Sequence, residues 1–179
     1  ITIPELNTSS VINTSYMFAC CFSLTIIPKL DTTNVTNMNY MFSSCSSLTT
    51  IPELNTSSVT NMGFMFNNCY SLKTIPKLDT ASVTDMNYMF NNCYSLKTIP
   101  KLNTSSVTNM YNMFKNCYSL ISLDLSSFDT SNVSNMGYMF NTCYSLKSLD
   151  LSSFDTSNVG NMGYMFSGCK GLTSLDVSN

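Results

Sequence analysis

Tryptophan, histidine and arginine are all missing from this 179-residue chain, and only 10% of its residues are charged. Without histidine the commonest general base and metal ligand is gone. Without arginine there is no guanidinium fork for bidentate phosphate recognition. Eight lysines against ten acidic residues leave a net charge of −2, so the basic footprint of a nucleic-acid binder is absent as well. No run of about 18 apolar residues exists, so no membrane-spanning helix and no membrane insertion are expected. Neither a signal peptide nor a lipidation motif opens the chain. Its first residues, Ile1 to Pro4, fall in the middle of a repeating unit, which reads as a fragment of a larger protein. Glycine is scarce at six, leaving serine, threonine and asparagine to do the turning.

What is present is a repeat. Hydrophobic residues make up 44% of the chain, enough for a packed core. A valine followed by a Met-Phe pair, a cysteine and a leucine recurs seven times, with Val11, Val35, Val59, Val83, Val107, Val133 and Val159 marking the units. Successive valines are 24 residues apart four times and then 26 residues apart twice. Within one unit Val83, Met86, Met89, Phe90 and Cys93 cover an arc of roughly 120° at helical pitch, which predicts a short helix. Asp79 to Ser82 supply capping oxygens before it. Ser122 to Leu125 alternate polar and apolar residues and predict a short strand. The 24-residue units carry proline at 4, 28, 52, 76 and 100, where a strand must end for want of a donor.

One strand and one helix cannot bury their own apolar faces, so the units must stack. The expected architecture is an α/β repeat, a single solenoid over residues 1–179 of about seven coils. Its units are of 24 residues to about 125 and of 26 thereafter. Strands stack closer than helices, which places short parallel strands on the concave face and short helices on the convex face.

Three ladders carry the candidate roles. Cys21, Cys45, Cys69, Cys93, Cys117, Cys143 and Cys169 fall at one point of successive coils, about 5 Å apart, too far for disulfides. They are expected as buried free thiols, with Cys20 outside the ladder and reactive. No Cys-x-x-Cys pair accompanies them, so no metal site is expected. Thr8, Thr32, Thr56, Thr80, Thr104, Thr130 and Thr156 form a second ladder, for which a turn or capping role accounts better than a flat ice-binding array. After the ladder cysteine stand Tyr70, Tyr94, Tyr118 and Tyr144, with Phe22 before them and Lys170 after; Lys73, Lys97 and Lys147 sit three residues further on. Tyrosine beside cations suits a protein or glycan contact surface, while mutual stacking of the rings explains the row without a ligand.

The segment Phe-x-x-Cys-x-x-Leu-x-x-Ile/Leu, as in Phe90 to Ile99, resembles the BspA-like class of bacterial leucine-rich repeats. The longer unit, Leu149 to Cys169, is similar to the 26-residue repeat of bacterial surface proteins in that class. The resemblance covers essentially the whole chain. It implies a right-handed leucine-rich-repeat solenoid, a cell-surface or extracellular location, and in some members adhesion to host proteins. It brings no catalytic residues and no cofactor.

Two functions follow. One is a non-catalytic recognition module binding a host or neighbouring-cell protein or glycan; the other is a passive stalk displaying another domain. The exposed strand positions Thr50, Thr74, Thr98, Ser122, Ser148 and Ser174 are monotonous, which speaks against specific binding there. An enzyme is the weakest reading, because a Ser or Cys nucleophile would lack a base. Solenoid end coils without polar caps also invite end-to-end self-association.

Overall fold

A computed structural model describes residues 3–177. Successive units lie on one another as coils of a solenoid, joined by a parallel backbone ladder. Isolated parallel bridges link Asn13, Asn37, Asn61, Asp85, Asn109, Asn135 and Asn161, each to the next. Strand β1 (Ser148–Asp150) pairs in parallel with β2 (Ser174–Asp176), and Leu149 stands opposite Leu175.

No helix forms among the described residues, and this corrects the expectation of a helical face. The segment from Val83 to Cys93 is instead a chain of tight turns. The N–H groups of Met86, Tyr88, Phe90 and Asn92 leave the coil and donate to the carbonyls of Asn109, Tyr111, Met113 and Lys115, at 2.8–3.2 Å. Those of Met89, Asn91 and Cys93 donate three residues back, to Met86, Tyr88 and Phe90. A helix would use every N–H internally and keep neighbouring coils about 10 Å apart. Sending alternate donors outward holds the coils at strand spacing instead.

That backbone requires two residues per coil in the left-handed region. Tyr16, Tyr40, Phe64, Tyr88, Asn112, Tyr138 and Tyr164 have φ of 54–60°. Four residues on, Cys20, Ser44, Asn68, Asn92, Asn116, Thr142 and Gly168 also have positive φ. Asparagine tolerates this conformation and a bulky aromatic does not. Stacking along the first row offsets the strain: Tyr16, Tyr40, Phe64 and Tyr88 lie face to face with centroids 4.3–4.5 Å apart. In coil five the left-handed residue is Asn112, and the neighbouring Tyr111 fills the row edge-on to Tyr88 and Tyr138. Gly137 makes room for it, since a Cβ there would lie 3.1 Å from the Tyr111 ring.

Strands are fewer than the alternation predicts. Ser122 to Leu125 form none, and in the 24-residue coils the described residues around each proline carry no regular structure. Proline removes a ladder donor there. In the longer coils Leu125 and Leu151 are buried, with Phe128 and Phe154 stacked at 6.4 Å.

The apolar arc expected of a helix is nonetheless the core. Val, Met, Met, Phe, Cys and Leu of the five central coils are fully buried. Their phenylalanines stack from Phe18 to Phe166 with centroids 5.5–5.9 Å apart. No described helix is long and apolar enough to cross a membrane.

The threonine ladder is buried rather than presented to solvent, except at Thr156 in the last coil. Thr104 Oγ1 donates to the carbonyl of Asp129 and accepts from the N–H of the same residue, both at 2.8 Å. Thr8 and Thr56 do the same with Asp31 and Asp79. The threonine also closes the turn into its own coil, as when Val107 N–H donates to the Thr104 carbonyl. Replacing Thr104 by Val leaves both groups of Asp129 without a partner, and the expected loss is about 2–3 kcal/mol. Thr104→Ser keeps the hydroxyl and should recover most of it. Urea unfolding at unchanged slope measures both; equal stability of wild type and Thr104→Val would show the pair to be idle.

Candidate functional site

Each tyrosine of the candidate edge follows a buried cysteine, and burial of that cysteine turns the next side chain outward. The cysteine is anchored by its own hydrogen bond to a preceding coil: Cys93 Sγ donates to the Phe66 carbonyl at 3.2 Å, and Cys117 to Phe90 likewise. All eight thiols are free. Cys45, Cys69, Cys93, Cys117 and Cys143 are buried, whereas Cys169 is half-buried. Cys21 corrects the ladder expectation: it is exposed beside Cys20 in the first coil, where no preceding coil among the described residues covers it. Burial pushes the Cys45 thiol up to about 12 and raises Cys69, Cys93, Cys117 and Cys143 further.

The ring stack runs over four coils. Tyr70 and Tyr94 stand 4.8 Å apart, Tyr94 and Tyr118 4.6 Å, Tyr118 and Tyr144 5.0 Å, all within 16° of parallel. Faces are therefore spent on neighbouring rings, and edges and hydroxyls remain outward. Burial, and then its neighbours Tyr118 and Tyr70, raise the Tyr94 hydroxyl above the ordinary phenol range.

Lys73, Lys97 and Lys147 are exposed. Among the described residues the cations placed over rings are others: Lys170 Nζ over Tyr144 at 5.1 Å, and Lys115 Nζ over Tyr138 at 4.9 Å. Lys170 continues the tyrosine row by position, a signal visible in the spacing. Lys115 reaches the second aromatic row, a contact between coils that spacing alone does not reveal. The ion pair of the described residues is Lys101 with Asp124 at 3.1 Å. Asp124 is held down to about 2 by the Ser126 hydroxyl and N–H, and then by Lys101. No group of three or more metal-ligating side chains is assembled among the described residues.

The family described as "Mycoplasma protein of unknown function, DUF285" matches residues 1–99 and again 94–179. The chain belongs to that family. No curated protein sequence matches it. Among solved structures, this DUF285 chain is similar to a leucine-rich repeat protein from Eubacterium ventriosum, at 20% identity and a TM-score of 0.50, over 76% of this chain and 41% of that one. It is also similar to the leucine-rich repeat protein of T. pallidum, at 19% identity and a TM-score of 0.46, over 76% of this chain and 72% of that one. A leucine rich cell surface protein from Faecalibacterium prausnitzii aligns at 20% identity and a TM-score of 0.35, over 90% of this chain and 68% of that one. The DUF285 chain thus spans about two fifths of the Eubacterium ventriosum protein, and that likeness carries the fold. The fold of the DUF285 chain is that of a leucine-rich-repeat solenoid.

Proposed function

We propose that this DUF285 chain is a non-catalytic recognition module of an extracellular or cell-surface protein. It would bind a protein or glycan of a host or neighbouring cell, as an adhesin does. The stack of Tyr70, Tyr94, Tyr118 and Tyr144 carries the reading. It sets a rigid row of phenol edges and hydroxyls on the surface, and rings already immobilised against one another lose little entropy when a partner docks. Lys73, Lys97, Lys147 and Lys170 would add cationic donors along it. The surface location draws support from the resemblance of the repeat to bacterial surface proteins. The non-catalytic role draws support from the solenoid fold and from a sequence without histidine or arginine.

The test is a capture assay on arrays of extracellular proteins and glycans, with Tyr94→Ala/Tyr118→Ala beside wild type. Hot-spot aromatics lost from the centre of a contact should weaken capture by at least about tenfold, with the thermal midpoint little changed. Undiminished capture by the variant would remove this edge as the site. A stalk is the second reading, favoured by the uniform exposed hydroxyls from Thr50 to Ser174. Failure of wild type to capture anything on the arrays would favour it.

A further inference from the structure

One exposed row in the stack has a gap. The phenylalanine core row and the Tyr16–Tyr164 row run through every coil without a missing ring. The Tyr70 row does not: stepping back from Tyr70, coil two offers Ser46 and coil one offers Phe22. The backbone keeps all three in register. Ser47 N–H donates to the Phe22 carbonyl at 3.2 Å, and between coils two and three Lys73 N–H donates to the Thr49 carbonyl at 3.0 Å.

Ser46 does not fill the place of a ring. It is half-buried, and its hydroxyl is tied down on the Phe22 carbonyl at 3.2 Å. The residues on either side are open, Tyr70 as an end of the ring stack and Phe22 as part of the uncovered first coil. Phe22 is 59% exposed and Tyr70 40% exposed, whereas Tyr94 and Tyr118, flanked on both sides, are only partly exposed. Two coil spacings separate Phe22 from Tyr70, about 9–10 Å. A ring inserted between them would meet each neighbour at about 4.5–5 Å, the separation of stacked aromatic pairs.

We propose that the notch above Ser46, walled by Phe22 and Tyr70, is a binding slot for one planar aromatic ring. The guest completes the row, stacked between Phe22 and Tyr70 as Tyr94 is stacked between Tyr70 and Tyr118. The hydroxyl of Thr49 and the ammonium of Lys73, three residues along in coils two and three, stand exposed on the same stretch of chain. They give a polar edge to a guest that carries a hydrogen-bonding group. The ring can be a free aromatic molecule or an aromatic side chain of a protein partner, since the stacking chemistry is the same. The slot rests on the geometry of the row and not on the row's binding a surface ligand.

Because the chain has no tryptophan, indole emission excited beyond the tyrosine band reports the guest alone. Indole and a Gly-Trp-Gly peptide would be titrated into wild type, Ser46→Ala, Ser46→Tyr and Phe22→Ala, with the thermal midpoint of each variant followed by circular dichroism. Wild type and Ser46→Ala should give saturable binding. Ser46→Tyr fills the notch and should lose it by at least about tenfold, melting no lower than wild type. Phe22→Ala removes a wall and should weaken binding. Binding of the peptide alone assigns the slot to a partner's side chain, and binding of free indole as well assigns it to the ring itself. Equal binding by wild type and Ser46→Tyr, or no saturable binding by wild type, would overturn the slot. Tyr118→Ala leaves the notch intact, so loss of array capture with indole binding retained separates this site from the tyrosine edge.

Discussion

Phe90→Ala should destabilise the chain by about 3–5 kcal/mol, as large an effect as any single truncation in this core. Phe90 is fully buried and stacked on both sides, with Phe66 at 5.6 Å and Phe114 at 5.5 Å. Removing its ring opens a cavity between two coil interfaces at once. Relaxation is restricted, because the Phe90 N–H is committed to the Met113 carbonyl and its carbonyl to the thiol of Cys117. A solenoid's stability is a sum of coils and their interfaces, so weakening two adjacent interfaces should also split unfolding into two steps. The measurement is a denaturant titration followed by circular dichroism and tyrosine fluorescence. Phe90→Leu, which keeps most of the volume, should cost far less. A loss below about 1 kcal/mol for Phe90→Ala would mean the core row is not the principal support of the stack.

The second large effect is alkaline. Cys45, Cys69, Cys93, Cys117 and Cys143 are buried, and in the folded chain burial holds each thiol above its ordinary value of 9.0. The unfolded chain releases these protons near pH 9 while the folded chain retains them. Stability is therefore complete below about pH 9 and falls as the pH rises, by about 1.4 kcal/mol per unit for each thiol. Five thiols acting together should remove about 7 kcal/mol by pH 10, enough to unfold a domain of ordinary stability. Equilibrium unfolding in urea between pH 7 and pH 10.5, under reducing conditions, checks this. Cys93→Ala/Cys117→Ala should flatten the slope by about two fifths. A stability that stays level to pH 10.5 would contradict burial of the row.

How much of this was written in the chain can be seen in one unit. Val83, Met86, Met89, Phe90 and Cys93 were identifiable as core from spacing alone, and they are buried. Their conformation was not identifiable, because residues 0, 3, 6, 7 and 10 share a face both on a helix and along a run of tight turns. What separates the two is where the N–H groups of Tyr88 and Asn92 go, and their acceptors lie in the next coil. The asparagines at 68, 92 and 116 hinted locally at left-handed backbone. Tyr88 at φ 54° did not, since propensity disfavours a ring there and stacking between coils overrides it. The tyrosine edge was readable as a row because identical positions repeat; that its rings spend their faces on one another required distances. Lys97 was placed near Tyr94 by sequence spacing, yet the cation found over a ring of this row is Lys170, from the adjoining coil. Cys21 departed from its row because sequence identity does not record which coil has a neighbour.

The outward-going amides of the turn segments face two ways, in unequal number. Alternate ones, such as those of Met86, Tyr88, Phe90 and Asn92, point toward the higher-numbered coil, while those of Thr36, Thr60, Thr84 and Thr108 donate to the coil before. Cut across these segments, each fresh surface would show both hydrogens and oxygens, with hydrogens in excess on one and oxygens on the other. Two like surfaces match each other less well than two unlike ones. Head-to-tail joining of such stacks would continue both sets of bonds and add length.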